Sequence, residues 1–377
     1  MNGKKNERAI NFGAGPGQLP LEVLEEVQAE LLAYKNAKVS ILEISHRSGD
    51  FKKVIESAQA RLAQILNIPD NYKVLFMQGG GTGLFSAVPL NMMTTGTADY
   101  IVTGSCEFLI DPLSKFCGNF DGTYFQVLGH RKRQKKQQNT VKSISSYQKL
   151  ANTQRFLTDQ TGISIQMRRI EFHDIPETNG VPLVADMSSN FVSKPVDVSK
   201  FGLIFAGAQK NVGPSGVTIV IVRKDFIGTA MKICPSILDF AVVAEGNSIH
   251  NTPPVFQIYF VGLVFEWILK NGGVEGMEEL ARQKSQMIYD IIEKSNGFYS
   301  CPIKENCRSR MNIPFRIKND EKLENDFVSG AAALNMLQLK GHRSVGGIRV
   351  SLYNAVTLDQ VKQLSNYMIK FYEQHKN

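Results

Sequence analysis

A chain of 377 residues with 43% hydrophobic and 21% charged residues has the make-up of a folded globular protein, long enough for a large domain and a smaller one. Its net charge of +8 does not mark a nucleic-acid binder: residues 106–169 hold eleven Lys/Arg against four Asp/Glu, and the remainder balances at 32 against 31. The opening MNGKKNERAINFG has no apolar core of a signal peptide, no apolar run reaches membrane-span length, and five scattered cysteines (Cys106, Cys117, Cys234, Cys301, Cys307) fit reduced thiols in a cytoplasmic protein with no metal site.

In chain order, apolar residues at three- and four-residue spacing predict a helix over 21–34 and another over 51–66. YKVLFMQ (72–78) predicts a strand too apolar for a wet face. It runs into Gly79-Gly80-Gly81-Thr82-Gly83 and a helix from near Leu84, the opening of an α/β unit on a buried parallel strand. ADYIVTG is a further strand, followed beyond residue 180 by three more in VPLVADMSS, FGLIFAGAQ and GVTIVIVR. The apolar FQIYFVGLVFEWILKNGG reads as a helical bridge into a C-terminal domain. There, MNIPFRIK and GGIRVSLY are strands, and DFVSGAAALNML and LDQVKQLSNYMIKFYEQH are helices. The fold class is α/β, with an N-terminal arm at 1–20, a large domain at 21–265 and a small one at 266–377.

Three features suggest chemistry. Lys210 lies between two apolar strands, where burial lowers an amine's pKa and makes it the nucleophile that a Schiff-base lysine must be. Asp186 ends an apolar strand, where α/β sheets present ligand-binding groups, and a carboxylate there can pair with a protonated pyridine nitrogen. The Gly79–Thr82 turn before a helix lets backbone N–H groups approach a phosphate. Taken singly, the lysine also suits an ordinary hairpin loop and the aspartate a helix cap. Glycine turn, strand-end Asp and strand-loop Lys in that order make a stronger pattern.

The blocks NFGAGPGQLP, ISHRSGDF, QGGGTGLFSAVPLN, ADMSSNFVSKPVDVSKFGLIFAGAQKNVGPSGVT, NTPPVFQIY and GHRSVGGIRVSLYNA resemble those of the phosphoserine aminotransferases, over 10–104 and from 170 to the end. The resemblance implies the type I pyridoxal 5'-phosphate (PLP) transferase fold, with a mostly parallel seven-stranded sheet, and a homodimer with shared active sites. It implies transamination of 3-phosphohydroxypyruvate with glutamate, giving O-phosphoserine and 2-oxoglutarate in serine biosynthesis. On matching positions, Lys210 carries the cofactor and then serves as general base, and Asp186 pairs with its ring nitrogen. Gly81, Thr82 and Gln209 hold its phosphate, joined by Asn251 and Thr252 from the neighbouring subunit. His46, Arg47, His342 and Arg343 match substrate-phosphate ligands, and Arg349 matches a clamp for the α-carboxylate. A phosphorylated keto acid has two anionic ends, and two His-Arg pairs plus a separate arginine answer that need.

Residues 106–169 break the resemblance. The family has Trp-Ser-Ala-Lys and later Asn-Glu-Thr here, which supply an aromatic stacked on the cofactor ring and a threonine on its hydroxyl. This chain has Cys106 at the first motif, and its one tryptophan is Trp267. The polar, basic GHRKRQKKQQNTVKSISSYQKLANTQRF shows little apolar periodicity. An inserted basic patch would leave the flanking motifs in place; here they are replaced. Out-of-frame translation of a retained intron explains that better: Cys106-Glu107-Phe108 can be encoded across GTGAGT and Phe125-Gln126 by TTTCAG, with an intervening length not divisible by three. The alternative to an active enzyme is therefore an impaired or inactive aminotransferase-fold isoform.

Overall fold

The computed structural model describes residues 8–92, 181–341 and 346–376 with their side chains, together with Ile175, Thr178 and the backbones of strands at 97–101, 124–128 and 157–158. The N-terminal stretch contributes β1 (Ile10–Asn11), α1 (Leu21–Glu30) and α2 (Gly49–Leu66). The large sheet and its first helices follow as β2 (Tyr72–Met77), α3 (Gly80–Met92), β3 (Thr97–Ile101), β4 (Tyr124–Leu128), β5 (Leu157–Thr158), β6 (Val184–Asp186), β7 (Leu203–Gly207), β8 (Thr218–Arg223) and α4 (Phe240–Glu245). The C-terminal part holds α5 (Val255–Lys270), α6 (Gly273–Lys294), β9 (Tyr299–Ser300), β10 (Asn312–Ile317), α7 (Glu321–Ala333), β11 (Met336–Leu337), β12 (Ile348–Ser351) and α8 (Leu358–His375).

Seven strands form one sheet in the order β2-β8-β7-β6-β5-β3-β4. From β7 to β4 neighbours run parallel, whereas β8 is antiparallel to both β7 and β2. The expected parallel strand at 72–78 is thus an antiparallel edge. Its apolar sequence reports burial on both faces, and that carries no information about direction. Alternation shows this directly: Val74 and Phe76 enter one core, while Leu75 and Met77 enter the other with Phe85, Phe205 and Phe240.

Helix boundaries follow local chemistry. Ser48 caps α2 by accepting from the Phe51 N–H at 3.2 Å, so the helix starts ahead of the expected 51. One apolar face of α2 (Phe51, Ile55, Ala58, Leu62) packs on α5, where a Cβ on Gly262 would lie 3.3 Å from that of Ala58. The first helix stops at Glu30 rather than at Tyr34, because Tyr34 N–H bonds the Val39 carbonyl and Lys35 and Lys38 take positive φ. Asp320 caps α7 through Lys322 and Leu323, placing its start before the expected 326. Its expected end is instead β11, paired with β1. Through that pairing Ile10 and Phe12 join a separate C-terminal core with Ile313, Phe327, Val350 and Leu364.

Helix α6, absent from the sequence reading, carries Lys284, which is 1% exposed. Its Nζ donates to the carbonyls of Tyr353 and Val356, each at 2.9 Å. Burial pushes the ammonium down to about 7. A lysine whose folded pKa lies below its unfolded one binds fewer protons when folded, so its charging cost is full below about pH 7 and fades as pH rises toward the unfolded value. Relative to wild type, Lys284→Met should gain stability on going from about pH 10 to about pH 6, by up to about 1.4 kcal/mol per pH unit. Thermal melts of both proteins across that range check it, and parallel curves contradict it.

Candidate active site

The Lys210 turn grows out of the β7–β8 hairpin. Ala208 N–H bonds Val217 O at 3.1 Å, and Ala208 O in turn accepts from Val212 and Gly213 N–H. A hairpin loop is therefore the correct geometry, yet Lys210 is only 8% exposed, unlike an ordinary loop lysine. Its Nζ donates to Ser189 Oγ at 2.9 Å.

Asp186 closes β6, opposite Phe205 of β7, at the carboxyl ends of the parallel strands. Its Oδ1 accepts from both Ser188 N (2.8 Å) and Ser188 Oγ (2.6 Å), while Ser188 Oγ accepts from Gly207 N–H at 2.9 Å. One serine thereby locks the carboxylate onto the strand that leads to Lys210. Burial pushes the Asp186 carboxyl above its ordinary range; Lys210 and the Ser188 hydrogen bonds pull it back.

The glycine turn meets this pair. Helix α3 begins at Gly80, not near Leu84, so Gly81 and Thr82 lie in its first turn, where N–H groups have no partner within the helix. Gly79 and Gly80 have φ of +97° and +61°, a backbone that side chains disfavour. A Cβ on Gly81 would stand 3.7 Å from Asp186 Oδ2, so the helix start and the carboxylate border one space. A helix N-terminus, a buried carboxylate and a buried amine around that space suit a phosphorylated pyridine aldehyde: phosphate, ring nitrogen and carbonyl each find a matching group.

The N-terminal arm supports the lysine turn. Gly17 N–H bonds Gln209 O at 2.8 Å, and a Cβ on Gly17 would press within 2.8 Å of Lys210 O and 2.6 Å of the Tyr353 ring. The Gln209 side chain folds back so that a Cβ on Gly207 would meet its Oε1 at 2.7 Å. Arg349 sits on β12 opposite Pro314. Its Nε is buried and, among the described residues, has no hydrogen-bond partner; burial lowers its pKa, and Tyr353 acts in the opposite sense. An arginine so placed is suited to an incoming carboxylate.

The remaining expected residues are less gathered. Asn251 Nδ2 donates to Gln78 Oε1 at 3.3 Å, and Gln78 Nε2 donates to Thr252 O at 3.0 Å, so both lie beside their own chain's glycine turn. His46 is half-buried and Arg47 exposed in the turn before α2, and among the described residues neither side chain makes a hydrogen bond or ion pair. His342, Arg343 and the stretch 106–169 beyond its two short strands lie outside the described residues. Ser188, Ser189 and Tyr353 escaped the sequence reading; the Ser-Ser after a strand-end aspartate was the available signal for the first two.

The aminotransferase class-V family model matches residues 9–364. The phosphoserine aminotransferase of Drosophila melanogaster is 50% identical over 379 residues, covering 98% of this chain and all of the relative. The solved phosphoserine aminotransferase of Bacillus circulans subsp. alkalophilus superposes with a TM-score of 0.85 at 39% identity, covering 98% of this chain and 99% of that one. The PLP-bound phosphoserine aminotransferase of Trichomonas vaginalis superposes with a TM-score of 0.84 at 33% identity, covering 96% of this chain and 100% of that one.

Proposed function

The chain belongs to the class-V aminotransferases, and we propose that it is a phosphoserine aminotransferase moving the amino group of glutamate to 3-phosphohydroxypyruvate. The observation that carries this reading is the buried Lys210–Asp186 pair at the start of α3, in a chain half identical to a phosphoserine aminotransferase. PLP, when bound, withdraws the electrons left behind as the substrate's Cα–H bond breaks. Asp186, bonded by Ser188 and facing Lys210, would pair with the ring nitrogen and favour its protonated form. The Lys210 amine would hold the cofactor and would serve as the base that moves the proton at the substrate carbon. Ser189 Oγ, already within reach of Nζ, steadies that amine between the two tasks. Gly81, Thr82 and Gln209 hold the cofactor phosphate, and Arg349 takes the substrate α-carboxylate through its unmet Nε. His46, Arg47, His342 and Arg343 bind the substrate phosphate.

Two copies of the chain form the working unit in this account, with Asn251 and Thr252 of each serving the other's site. Exposed Leu32 (87%) and Leu42 (62%), in the loop leading to His46, support such a face. Among the described residues no helix is long and apolar enough to cross a membrane, and we place the enzyme in the cytoplasm. The test is direct: purified protein with PLP, glutamate and 3-phosphohydroxypyruvate should yield O-phosphoserine and 2-oxoglutarate in equal amounts by NMR. Product formed only from a non-phosphorylated keto acid would refute the substrate assignment.

Arg349→Lys should raise the glutamate KM about 10- to 100-fold, the value of a charged hydrogen bond of ~1.5–3 kcal/mol, because an ammonium lacks the planar fork. Steady-state kinetics check it, and an unchanged KM counts against the carboxylate role.

A second reading has its own observation. Residues 106–169 lack the aromatic and the threonine that complete the family's cofactor site, which favours an impaired isoform able to pair with a normal subunit. The transcript separates the two origins of this stretch: another reading frame spelling Trp-Ser-Ala-Lys marks it as out of frame.

A further inference from the structure

Lys284 belongs to the long helix α6, far in sequence from the motifs above, yet its two hydrogen bonds end on the turn that follows β12. That turn reaches the N-terminal arm and the loop that carries Lys210. Tyr353 Oη donates to Ala14 O at 2.7 Å, and its ring lies against Gly17. Asn354 N–H donates to Asn211 Oδ1 at 3.0 Å, and Asn354 Nδ2 donates to Val192 O at 2.9 Å. Asn211 is the neighbour of Lys210. The turn is thus pinned on one side to the lysine loop and on the other, through Lys284, to helix α6.

A buried ammonium held by two neutral carbonyls is a costly way to fix a turn, since among the described residues no carboxylate pairs with it to offset its desolvation. An apolar residue of the same length would fill the space at less cost and leave the carbonyls of Tyr353 and Val356 free to drift. We propose that Lys284 is a positioning residue for substrate binding: by clamping the 353–356 turn it sets the reach of Arg349 toward a substrate carboxylate. This rests on the aminotransferase reading for the identity of the ligand, not for the clamp itself.

The test uses Lys284→Met, which keeps the stem and removes the donors, and an unreactive dicarboxylate, glutarate, in the PLP-loaded protein. Glutarate affinity by calorimetry should fall at least about tenfold, as for loss of a positioning hydrogen-bond pair. Amide exchange at Asn354 and Val356, measured in the cofactor-free protein, should quicken at least about tenfold while that of β2 stays unchanged. In an Arg349→Lys background the same substitution should alter glutarate affinity less than about twofold, because the clamp acts through Arg349. Unchanged affinity, an equal loss in the Arg349→Lys background, or exchange quickened evenly across the fold overturns the proposal. Failure of the wild-type protein to transaminate would instead strike the functional reading, leaving the exchange result to judge the clamp.

Discussion

Lys210→Ala is expected to abolish the visible absorption band formed with PLP and to lower transamination by on the order of 10⁴-fold or more. The size follows from two losses at one atom. The amine that bonds the cofactor is gone, and so is the base that moves the substrate proton. Ser189, whose Oγ lies 2.9 Å from Nζ, cannot replace it, because a hydroxyl is too weak a base. The variant should still fold, because alanine removes a buried charge without breaking the hairpin bonds of Ala208, Val212 and Gly213. Added methylamine should restore part of the proton transfer but not the covalent attachment. Single-turnover rates with glutamate check both statements, and a variant within tenfold of wild type would place the chemistry elsewhere.

Asp186→Ala is expected to cost about 10²–10³-fold in turnover, the scale of removing one preorganised electrostatic partner from a buried site. Burial raises its carboxyl above the ordinary range, and Lys210 and the Ser188 hydrogen bonds act in the opposite direction. Asp186→Asn keeps the shape and the Ser188 contact, yet cannot hold a proton on the ring nitrogen. It should therefore lose nearly as much activity as the alanine variant while remaining more stable. Equal activity of the asparagine variant and wild type would mean that charge at this position is irrelevant.

The functional pattern was legible because each part combines unusual residue types with a fixed chain position. Lys210 stands out as a charge between apolar strands, and Gly79 and Gly80 stand out in a turn whose φ of +97° and +61° most side chains disfavour. The supports were not legible. Ser188, Ser189 and Asn354 are common residues whose roles come from hydrogen bonds across 19 to 162 positions of sequence separation. Strand direction was lost for a similar reason, since double-sided burial makes β2 as apolar as a parallel strand. The end of α1 and the start of α7 moved because caps and positive-φ residues outweigh apolar spacing. His342 and Arg343 stay at the level of sequence resemblance, and 106–169, beyond its two short strands, lies outside the described residues.

The central claim is that Lys210 and Asp186 form a working PLP site in this chain despite the altered stretch at 106–169. Visible absorbance of the purified protein with added PLP, then with glutamate, tests it most directly. A visible band absent from Lys210→Ala is expected, and glutamate should then remove it as the amino group passes to the cofactor. Folded wild-type protein that forms no such band would contradict it, and would make the chain a family member that has lost its cofactor.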